Sequence, residues 1–392
     1  MDAWLIGLAI TLPWIGGLAV LLVGDSRVRL QHGLSMGFAV SAAIAALLLL
    51  PGATDKAVIR ISMGSTFGDL TFVPDGLGLF LAIVATGIGS LTIIFSAGYM
   101  RGEAQLGRYY ALALYFIGAM VALSLTGSLL FLFFFWEITA FCSYALISFH
   151  NDDPKAVAGG IKALIITQLG GIGLLLLALA AYAWVGDYQI DSFLAAAPDL
   201  PVPLLTAMAF GCLAGAAAKS AQVPFQSWLP DAMEAPTPIS ALIHAASMVN
   251  AGVYLLARLY PAFVGVSGWS MTVMAVGLLS ILLAGLMAAV TFDLKRVLAY
   301  STISQLGYMV VAVGAGAISA SQFHLLSHAV FKALLFLSAG AVIHTIGTRD
   351  MRQMGGLGVQ MPFVRAVFVI GTLALMGIPP VNGFWSKELI LE

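Results

Sequence analysis

Long runs of apolar residues separated by short polar connections make up most of this 392-residue sequence. A run of about 20 apolar residues is long enough to cross the hydrocarbon core of a bilayer as an α-helix. Hydrophobic residues account for 61% of the chain and charged residues for 9%, whereas a soluble domain carries roughly 25% charge. The sequence therefore predicts an all-α polytopic protein that crosses the lipid bilayer of the cell inner (cytoplasmic) membrane many times.

About twelve transmembrane helices can be placed on these runs. They lie near residues 3–23, 33–51, 77–98, 109–125, 128–149, 157–184, 204–233, 237–260, 270–291, 297–316, 320–346 and 362–392. Prolines break the helices at 204–233 and 362–392. The long loop over residues 52–75 alternates in polarity around Val58 to Met63, which predicts a short hairpin.

Basic residues are distributed unevenly between the connections on the two sides. If the N-terminus lies outside, the inside loops hold Arg27, Arg29, Arg101, Arg108, Lys155, Lys295, Arg296, Arg349 and Arg352. The outside segments hold only Lys56, Arg60 and, at a helix end, Arg258. This asymmetry follows the positive-inside rule and predicts an outside N-terminus. We interpret Asp293, Lys295 and Arg296 as solvated or docking charges on one inside turn.

Two lysine pairs indicate an internal repeat. The segment IKALIITQLGG, which contains Lys162, resembles FKALLFLSAGA, which contains Lys332, 170 residues later. Lys219 and Lys387 are 168 residues apart. The second member of each pair lies five spans after the first in the predicted order, an odd number, so the copies cross the membrane in opposite directions. Such inverted-topology repeats carry ion sites near the midplane on broken helices. Chance similarity in so apolar a chain is the alternative.

Ionisable side chains lie inside several predicted spans, where a charge costs about 2.5 kcal/mol or more and indicates a functional site. Glu137 lies roughly 13 Å deep in its span, and Lys219 precedes a proline-broken stretch. A carboxylate and an ammonium that approach and separate can load and release a proton. The alternatives are a static buried ion pair, or a glutamate that only helps helices to pack.

Three histidines also lie inside the predicted spans. His244 opens the span after Lys219 and is either a proton relay or satisfied by a carbonyl. His324, His328 and Lys332 fall at i, i+4 and i+8, which places them on one helical face over about 12 Å. This spacing predicts a proton wire. A zinc site is disfavoured because the general-base glutamate of the two-histidine zinc motif is absent and Lys332 would repel a cation.

Three further ionisable residues complete the candidate set. Lys387 and Glu388 follow the break that Pro379 and Pro380 predict, although a lysine near a span end can also snorkel to the interface. Lys162 lies seven residues from the predicted inside end of its span and is ambiguous. We expect it to contribute to proton translocation together with the others.

The sequence predicts neither a cofactor nor a resident metal. Two cysteines, Cys142 and Cys212, cannot hold an iron–sulfur cluster or a disulfide framework. Phosphate-binding nucleotide loops and flavin motifs are also absent, so we expect no catalytic redox site in this chain. Its formal net charge of −1 gives no reason to expect nucleic-acid binding.

From about residue 72 onwards the chain resembles a known family. The matching segments are FFWEITAFCSYALI, AKSAQVPFQSWLPDAMEAPTPISALIHAASMVNAGVYLLAR, DLKRVLAYSTISQLGYM, FHLLSHAVFKALLFL and GFWSKE. The family comprises the antiporter-like membrane subunits of respiratory complex I (chain 5, or the L subunit, of NADH:quinone oxidoreductase) and of Mrp-type sodium/proton antiporters (the A subunit). The resemblance implies that Glu137, Lys219, His244, Lys332 and Lys387 form a hydrophilic axis through the membrane centre. It also implies that His324 and His328 connect two half-channels.

The resemblance also implies partners, namely other membrane subunits of a multi-subunit complex, and the transport of protons, with sodium as the further candidate ion. Redox energy from partner subunits would drive a complex I subunit, whereas a sodium gradient would drive an Mrp subunit. Motifs of both branches are present, and the chain stops inside its last broken helix, where members of the family continue. A solute carrier and a non-pumping scaffold are the alternatives of a different class.

The repeat and the resemblance together predict three parts. Residues 1–76 form two N-terminal helices and an outer loop. Residues 77–260 form a first antiporter-like half with the broken helix 204–233. Residues 261–392 form a second, inverted and incomplete half with the broken helix 362–392.

Overall fold

The structure, a computed structural model, describes residues 3–52 and 58–392. The first six long helices are α1 (Ala3–Val23), α2 (Val28–Leu48), α3 (Gly76–Tyr99), α4 (Leu106–Leu125), α5 (Leu129–Ile147) and α6 (Pro154–Val185). They are followed by α7 (Ile190–Ala196), α8 (Val202–Lys219), α9 (Trp228–Asp231), α10 (Thr237–Ala241), α11 (Met248–Phe263), α12 (Trp269–Ala289), α13 (Leu294–Gly314), α14 (Ile318–Ile346), α15 (Leu357–Gln360), α16 (Pro362–Met376) and α17 (Asn382–Leu391).

The helices confirm a polytopic all-α membrane protein. Within the described ranges, eleven helical segments are long and apolar enough to cross a membrane, and α16 adds a shorter apolar helix. This agrees with the prediction of about twelve spans. The helix formed by α10 and α11 lies at the centre, because its most apolar window is entirely buried by the surrounding helices.

A small hairpin covers the connection between α4 and α5. Strand β1 (Ile59–Ser62) pairs antiparallel with β2 (Asp69–Phe72). Phe72 also forms an isolated antiparallel bridge with Thr126. The hairpin predicted around Val58 to Met63 is confirmed, while the part of the predicted loop over residues 53–57, including Lys56, lies outside the described residues.

Both predicted helix breaks are present. Helix α8 ends at Lys219, and the chain does not resume a helix until Trp228. Helix α16 ends at Met376, where Gly377 adopts a φ of 78°, and α17 begins at Asn382. The left-handed conformation of Gly377 stops the helix at low steric cost because glycine lacks a Cβ.

A third break was not predicted. A π-helical turn, Leu242–Ala246, separates α10 from α11 inside the span predicted near 237–260, while the span itself is confirmed as one apolar segment, Thr237–Phe263. Side chains compensate for the disrupted backbone ladder, because Ser247 donates to the Leu242 carbonyl and Asn250 to the Ala245 carbonyl. Sequence periodicity does not reveal a single-turn π segment, since the apolar pattern continues through it.

The order of the spans agrees with an inverted repeat, since α6 is the sixth long apolar helix and α14 the eleventh.

The spacing of Lys219 and Lys387 in the sequence does not correspond to equivalent places in their broken helices. Lys219 is the last residue before its break, whereas Lys387 lies in α17, after its break. The interpretation of these two lysines as equivalent positions is therefore wrong. The division into residues 1–76, 77–260 and 261–392 stays a prediction.

Close packing holds α11 against the end of α8. A Cβ built on Gly252 would lie 2.3 Å from both the Ala216 carbonyl oxygen and the Ser220 hydroxyl oxygen. Only a glycine permits this approach. The contact positions α8, and with it Lys219, against the central helix.

Candidate functional site

Lys219 and Glu137 lie at the contact between α8 and α5, but they are not joined as an ion pair. The Lys219 ammonium is fully buried, donates to the Trp136 carbonyl at 2.7 Å and lies 4.8 Å from the centre of the Trp136 ring. Both carboxylate oxygens of Glu137, the residue that follows Trp136, are buried, and the polar side chain that lies beside them is that of Gln168. Since a buried charge is costly unless it is paired, this carboxylate requires a proton, water or a moving cation.

The surroundings of Glu137 leave little room. A Cβ on Gly171 of α6 would lie 2.5 Å from the Oε1 atom of Glu137.

Polar groups at the break after α8 bond one another. Ser220 donates to the Val249 carbonyl at 2.7 Å, and Gln222 donates to the Ser220 and Ile303 carbonyls at 2.9 and 3.2 Å. These bonds at the break do not involve the Lys219 ammonium.

His244 lies in the π turn of the central helix and is fully buried. Its ring centre is 6.4 Å from that of Trp228 and 5.7 Å from that of Phe336 on α14. Neither ring nitrogen has a hydrogen-bond partner among the residues that the structure describes. Such π segments occur frequently at functional sites, and an unpartnered buried imidazole can bind and pass on a proton.

The three α14 residues lie on one buried face, as predicted. His324 bridges three helices, with Nδ1 2.9 Å from the Ser386 hydroxyl of α17 and Nε2 3.1 Å from the Gln305 amide oxygen of α13. Lys332 donates to the Leu298 carbonyl at 3.0 Å and to the Ser301 hydroxyl. His328, between them, has no partner for either ring nitrogen within residues 3–52 and 58–392.

Lys387 closes this series in α17. It is half-buried, donates to the Leu375 carbonyl at 2.5 Å and lies 5.8 Å from the centre of the Tyr308 ring. The Leu375 carbonyl belongs to the last turn of α16, where unpaired carbonyls and the helix dipole favour a cation. We call Glu137, Lys219, His244, Lys332, His328, His324 and Lys387 the lateral chain.

Two predicted residues do not join the lateral chain. Lys162 is half-exposed and forms an ion pair with Asp231 at 2.7 Å, with Arg296 3.8 Å from the same carboxylate. Glu388 is exposed, because the helical turn points it away from its neighbour Lys387. Their sequence positions resembled those of the buried lysines, but their depth depends on which face of the helix they occupy.

Lys295 is a buried cation that the sequence interpretation missed. It is 3% exposed and donates to the Ala235 carbonyl at 2.6 Å, so its interpretation as a solvated or docking charge is wrong. It shares a face of α13 with Thr302 and Gln305, at i+7 and i+10, and both are buried. That helical spacing was the available signal.

A polar cavity of about 240 Å³ reaches Lys295 from one face of the protein. Arg349 at its margin bonds Glu234 at 3.0 Å and contacts Asp293 at 3.3 Å. Burial opposes the charge of this guanidinium, but the hydrogen bond to Glu234 and the two carboxylates outweigh it and raise the pKa of Arg349. Arg349 is therefore a fixed positive charge at the cavity.

The charged residues separate into two faces, as the predicted loops require. Cavities of about 340, 320 and 240 Å³ adjoin residues predicted inside, among them Lys155, Lys162, Arg296, Arg101 and Arg349. A cavity of about 470 Å³ adjoins Arg60 and Arg258 beside the hairpin. We call the side of the protein that carries this cavity and the hairpin the hairpin face. In the described residues, no three His, Cys, Asp or Glu side chains gather as metal ligands.

Comparisons with known proteins match this architecture. The family described as "NADH:quinone oxidoreductase/Mrp antiporter, TM" matches residues 126–392, and "NADH-Ubiquinone oxidoreductase (complex I), chain 5 N-terminus" matches residues 61–110. Relatives named as the A1 subunit of a Na(+)/H(+) antiporter, from Staphylococcus aureus strains bovine RF122 / ET3-1 and JH9, are 43% identical over 338 residues. The alignment covers 81% of this chain and 42% of each relative.

Solved structures show the same fold. A chain of the Mrp complex from Dietzia sp. DQ12-45-1b superposes with a TM-score of 0.92 at 32% identity, covering 98% of this chain and 43% of that one. A chain of the membrane-bound sulfane sulfur reductase, an archaeal respiratory membrane complex, gives a TM-score of 0.86 at 27% identity, with 98% and 81% covered. This chain spans less than half the length of the matched antiporter subunits and of the Mrp chain. It belongs to the NADH:quinone oxidoreductase/Mrp antiporter family of multi-pass membrane proteins.

Proposed function

We propose that this chain carries protons across the membrane, along the lateral chain, as one subunit of a multi-subunit membrane complex. The observation that carries the proposal is the bonding of its two fully buried lysines. Lys219 and Lys332 donate to carbonyl or hydroxyl oxygens, and neither takes part in an ion pair found in the described residues. A buried ammonium bonded to neutral acceptors can exchange its proton, whereas one locked to a carboxylate holds it.

The order of residues follows from their positions. Glu137 and Lys219 load a proton when they approach each other, and Lys219 releases it when it returns to the Trp136 carbonyl. His244 lies between the α8 break and α14, because its ring faces Phe336. Lys332, His328 and His324 then pass the proton along one face of α14 to Lys387, whose helix is bonded to His324 through Ser386.

Sodium/proton exchange is the coupling that the comparisons favour. The relatives at 43% identity are named as Na(+)/H(+) antiporter subunits, and the Mrp structure superposes with the higher TM-score. Coupling to redox chemistry in partner subunits is the second candidate, supported by the match to complex I chain 5 and by the respiratory complex of archaea. Both require other membrane subunits.

We also propose the topology of the chain. The basic residues gathered at the face opposite the hairpin favour that face as the cytoplasmic one, since positive charge concentrates there. The N-terminus then lies outside and the protein resides in the cytoplasmic membrane. Residues 77–260 and 261–392 form two inverted halves, with Lys162 and Glu388 as peripheral charges outside the main path.

Proton flux in inverted vesicles containing the whole native complex tests this function. Lys219→Ala is compared with wild type and with Lys155→Ala, a matched change at an exposed lysine. Native gels confirm that the complex assembles. We expect sodium-dependent flux without NADH, lost in Lys219→Ala and kept in Lys155→Ala. Flux that appears only with NADH and quinone would replace sodium coupling by redox coupling, and an unaffected Lys219→Ala would overturn proton relay in both.

A further inference from the structure

A continuous polar stripe follows the central helix from His244 to the hairpin face. Its members are His244, Ser247, Asn250, Tyr254 and Arg258, at i, i+3, i+6, i+10 and i+14. In α11, Asn250, Tyr254 and Arg258 follow one another at i, i+4 and i+8 and therefore lie on one side of the helix over about 12 Å, while His244 and Ser247 lie in and just after the π turn that precedes α11. The first four are at most 1% exposed although the surrounding helices are apolar. Polar groups at this depth need a reason beyond packing.

The middle of the stripe has unused hydrogen-bonding capacity. Asn250 donates through Nδ2 to the Ala245 carbonyl at 3.1 Å, but its Oδ1 atom is buried and has no partner in the described parts of the chain. The two ring nitrogens of His244 are likewise buried and have no hydrogen-bond partner in those parts of the chain. Buried polar atoms are normally satisfied by protein or water, so these three atoms indicate where water molecules bind.

The far end of the stripe lies close to a carboxylate. The Tyr254 hydroxyl donates to the Ser124 carbonyl at 2.7 Å. A Cβ built on Gly78 would lie 2.3 Å from that carbonyl oxygen and 3.0 Å from Oδ1 of Asp75, so both oxygens face the same side of Gly78. Asp75 pairs through its other oxygen with Arg258. Asp75 Oδ1 accepts from the Gly78 N–H at 2.8 Å, so both oxygens of this carboxylate are engaged, and the Asp75–Arg258 pair lies one helical turn from Tyr254.

The Asp75–Arg258 pair borders the cavity of about 470 Å³ at the hairpin face. The Arg258 side chain is 11% exposed, and that of Asp75 is 38% exposed. The Nε atom of Arg258 is buried without a partner among the described residues. The stripe thus extends from a buried imidazole to a polar cavity, and the lateral chain uses none of its members beyond His244.

We propose that this stripe lines a second, hydrated proton route, which connects His244 directly to the hairpin face. A proton leaves the His244 imidazolium for a water molecule at Asn250 and passes Tyr254. It leaves into the water of the cavity beside the Asp75–Arg258 pair. No other bond forms or breaks. The inference rests on the proposed function, because only a proton-carrying His244 gives the route a purpose.

Cysteine accessibility tests the route without relying on transport. Cys142→Ala and Cys212→Ala remove the native thiols, and Asn250→Cys, Tyr254→Cys or Val253→Cys is then introduced into the full complex. Val253 is the matched control, since it is fully buried in the same helix but off the stripe. A membrane-impermeant thiol reagent is applied at either face of oriented vesicles, and silver ions serve as a smaller probe.

We expect the two stripe cysteines to react from the hairpin face at least about tenfold faster than the Val253→Cys control, because thiol reactivity follows access to water. Equal rates at all three positions with both probes, or reaction only from the opposite face, would overturn the route. Labelling after denaturation verifies that each thiol is present. An unaffected Lys219→Ala flux would instead remove the proposed function and leave the labelling result standing.

A flux measurement completes the test. Tyr254→Phe removes one hydroxyl and should slow proton flux about two- to tenfold if water passes this hydrogen-bonding group, since a lost buried hydrogen bond is worth about 0.5–1.5 kcal/mol. Tyr260→Phe, in the same helix but off the stripe, should leave the flux unchanged. Equal flux in both variants contradicts a role for the Tyr254 hydroxyl.

Discussion

The two broken helices place a lysine in contact with a carbonyl, but in opposite surroundings. Lys219, in the first, is fully buried and uses the carbonyl of Trp136 on a neighbouring helix. Lys387, in the second, is half-buried and uses the carbonyl of Leu375 from the other piece of its own helix. The first lysine is positioned by tertiary packing and the second by its local chain.

This difference is repeated around each break. Gln222 and Ser220 bond the freed backbone groups of the first break inside the protein. Around the second break, Met376 and Trp385 are 61% and 57% exposed. A lysine that is held by neighbouring helices changes its contacts when those helices move. A lysine that is held by its own helix keeps its contact, because it moves together with that helix. We infer that the first break is where coupling to conformational change is strongest.

Replacing each lysine by methionine measures this contrast directly. Lys219→Met removes the ammonium that lies beside Glu137 and should lower proton flux by about a hundredfold or more, as expected for loss of a central proton-transfer group. Lys387→Met should lower it about tenfold or less, because Lys387 is held by a carbonyl of its own broken helix and not by a neighbouring helix. Flux in inverted vesicles is the measurement, and equal losses would mean that burial does not distinguish the two breaks.

The second comparison concerns the two KAL segments. Lys332→Met should reduce flux about tenfold or more, because it removes a buried proton carrier between His328 and the α13 oxygens. Lys162→Met should change flux less than about twofold, since an exposed ion pair is worth about 0–1 kcal/mol. A large loss in Lys162→Met would show that the Asp231 pair lies on the path after all.

The third comparison concerns how tightly a glycine is packed beside each of the two breaks. Gly252→Ala forces a methyl into contact with α8 and should lower the free energy of unfolding by about 1–3 kcal/mol. Gly383→Ala places its Cβ even closer to a backbone oxygen, 1.8 Å from that of Ala374, yet α17 can shift outward. We expect the smaller loss there.

Thermal unfolding in detergent, followed by tryptophan fluorescence, compares these variants. Gly87→Ala is the control, because a Cβ at that position of α3 meets nothing within 4 Å. A larger loss in Gly383→Ala than in Gly252→Ala would show that the second break is as rigidly packed as the first.

Much of this architecture follows from the sequence. Span lengths are dictated by the bilayer, and the breaks by proline and glycine, so helices and breaks could be predicted. The i, i+4, i+8 spacing of His324, His328 and Lys332 was enough to place them on one face, because helix geometry is local.

Tertiary depth could not be predicted in the same way. Lys295 and Lys162 both lie near a predicted inside end, yet one is buried and the other half-exposed. The neighbouring helices decide the difference, and a single sequence does not specify them. The π turn at His244 was missed because Ser247 and Asn250 compensate for it through side chains that look ordinary in sequence.

The smallest expected effect tests how the second break is joined to the rest. Ser386→Ala removes the bond from α17 to His324, and we expect flux to fall about two- to fivefold, in line with a loss of about 0.5–1 kcal/mol. Gln305→Leu removes the other ring contact of His324 but leaves α17 bonded, so it serves as the matched control. Amide hydrogen exchange should increase in α17 for Ser386→Ala and remain unchanged there for Gln305→Leu. Unchanged exchange in both would mean that the second broken helix holds its position without His324. The asymmetry between the two breaks would then lie in solvent exposure alone.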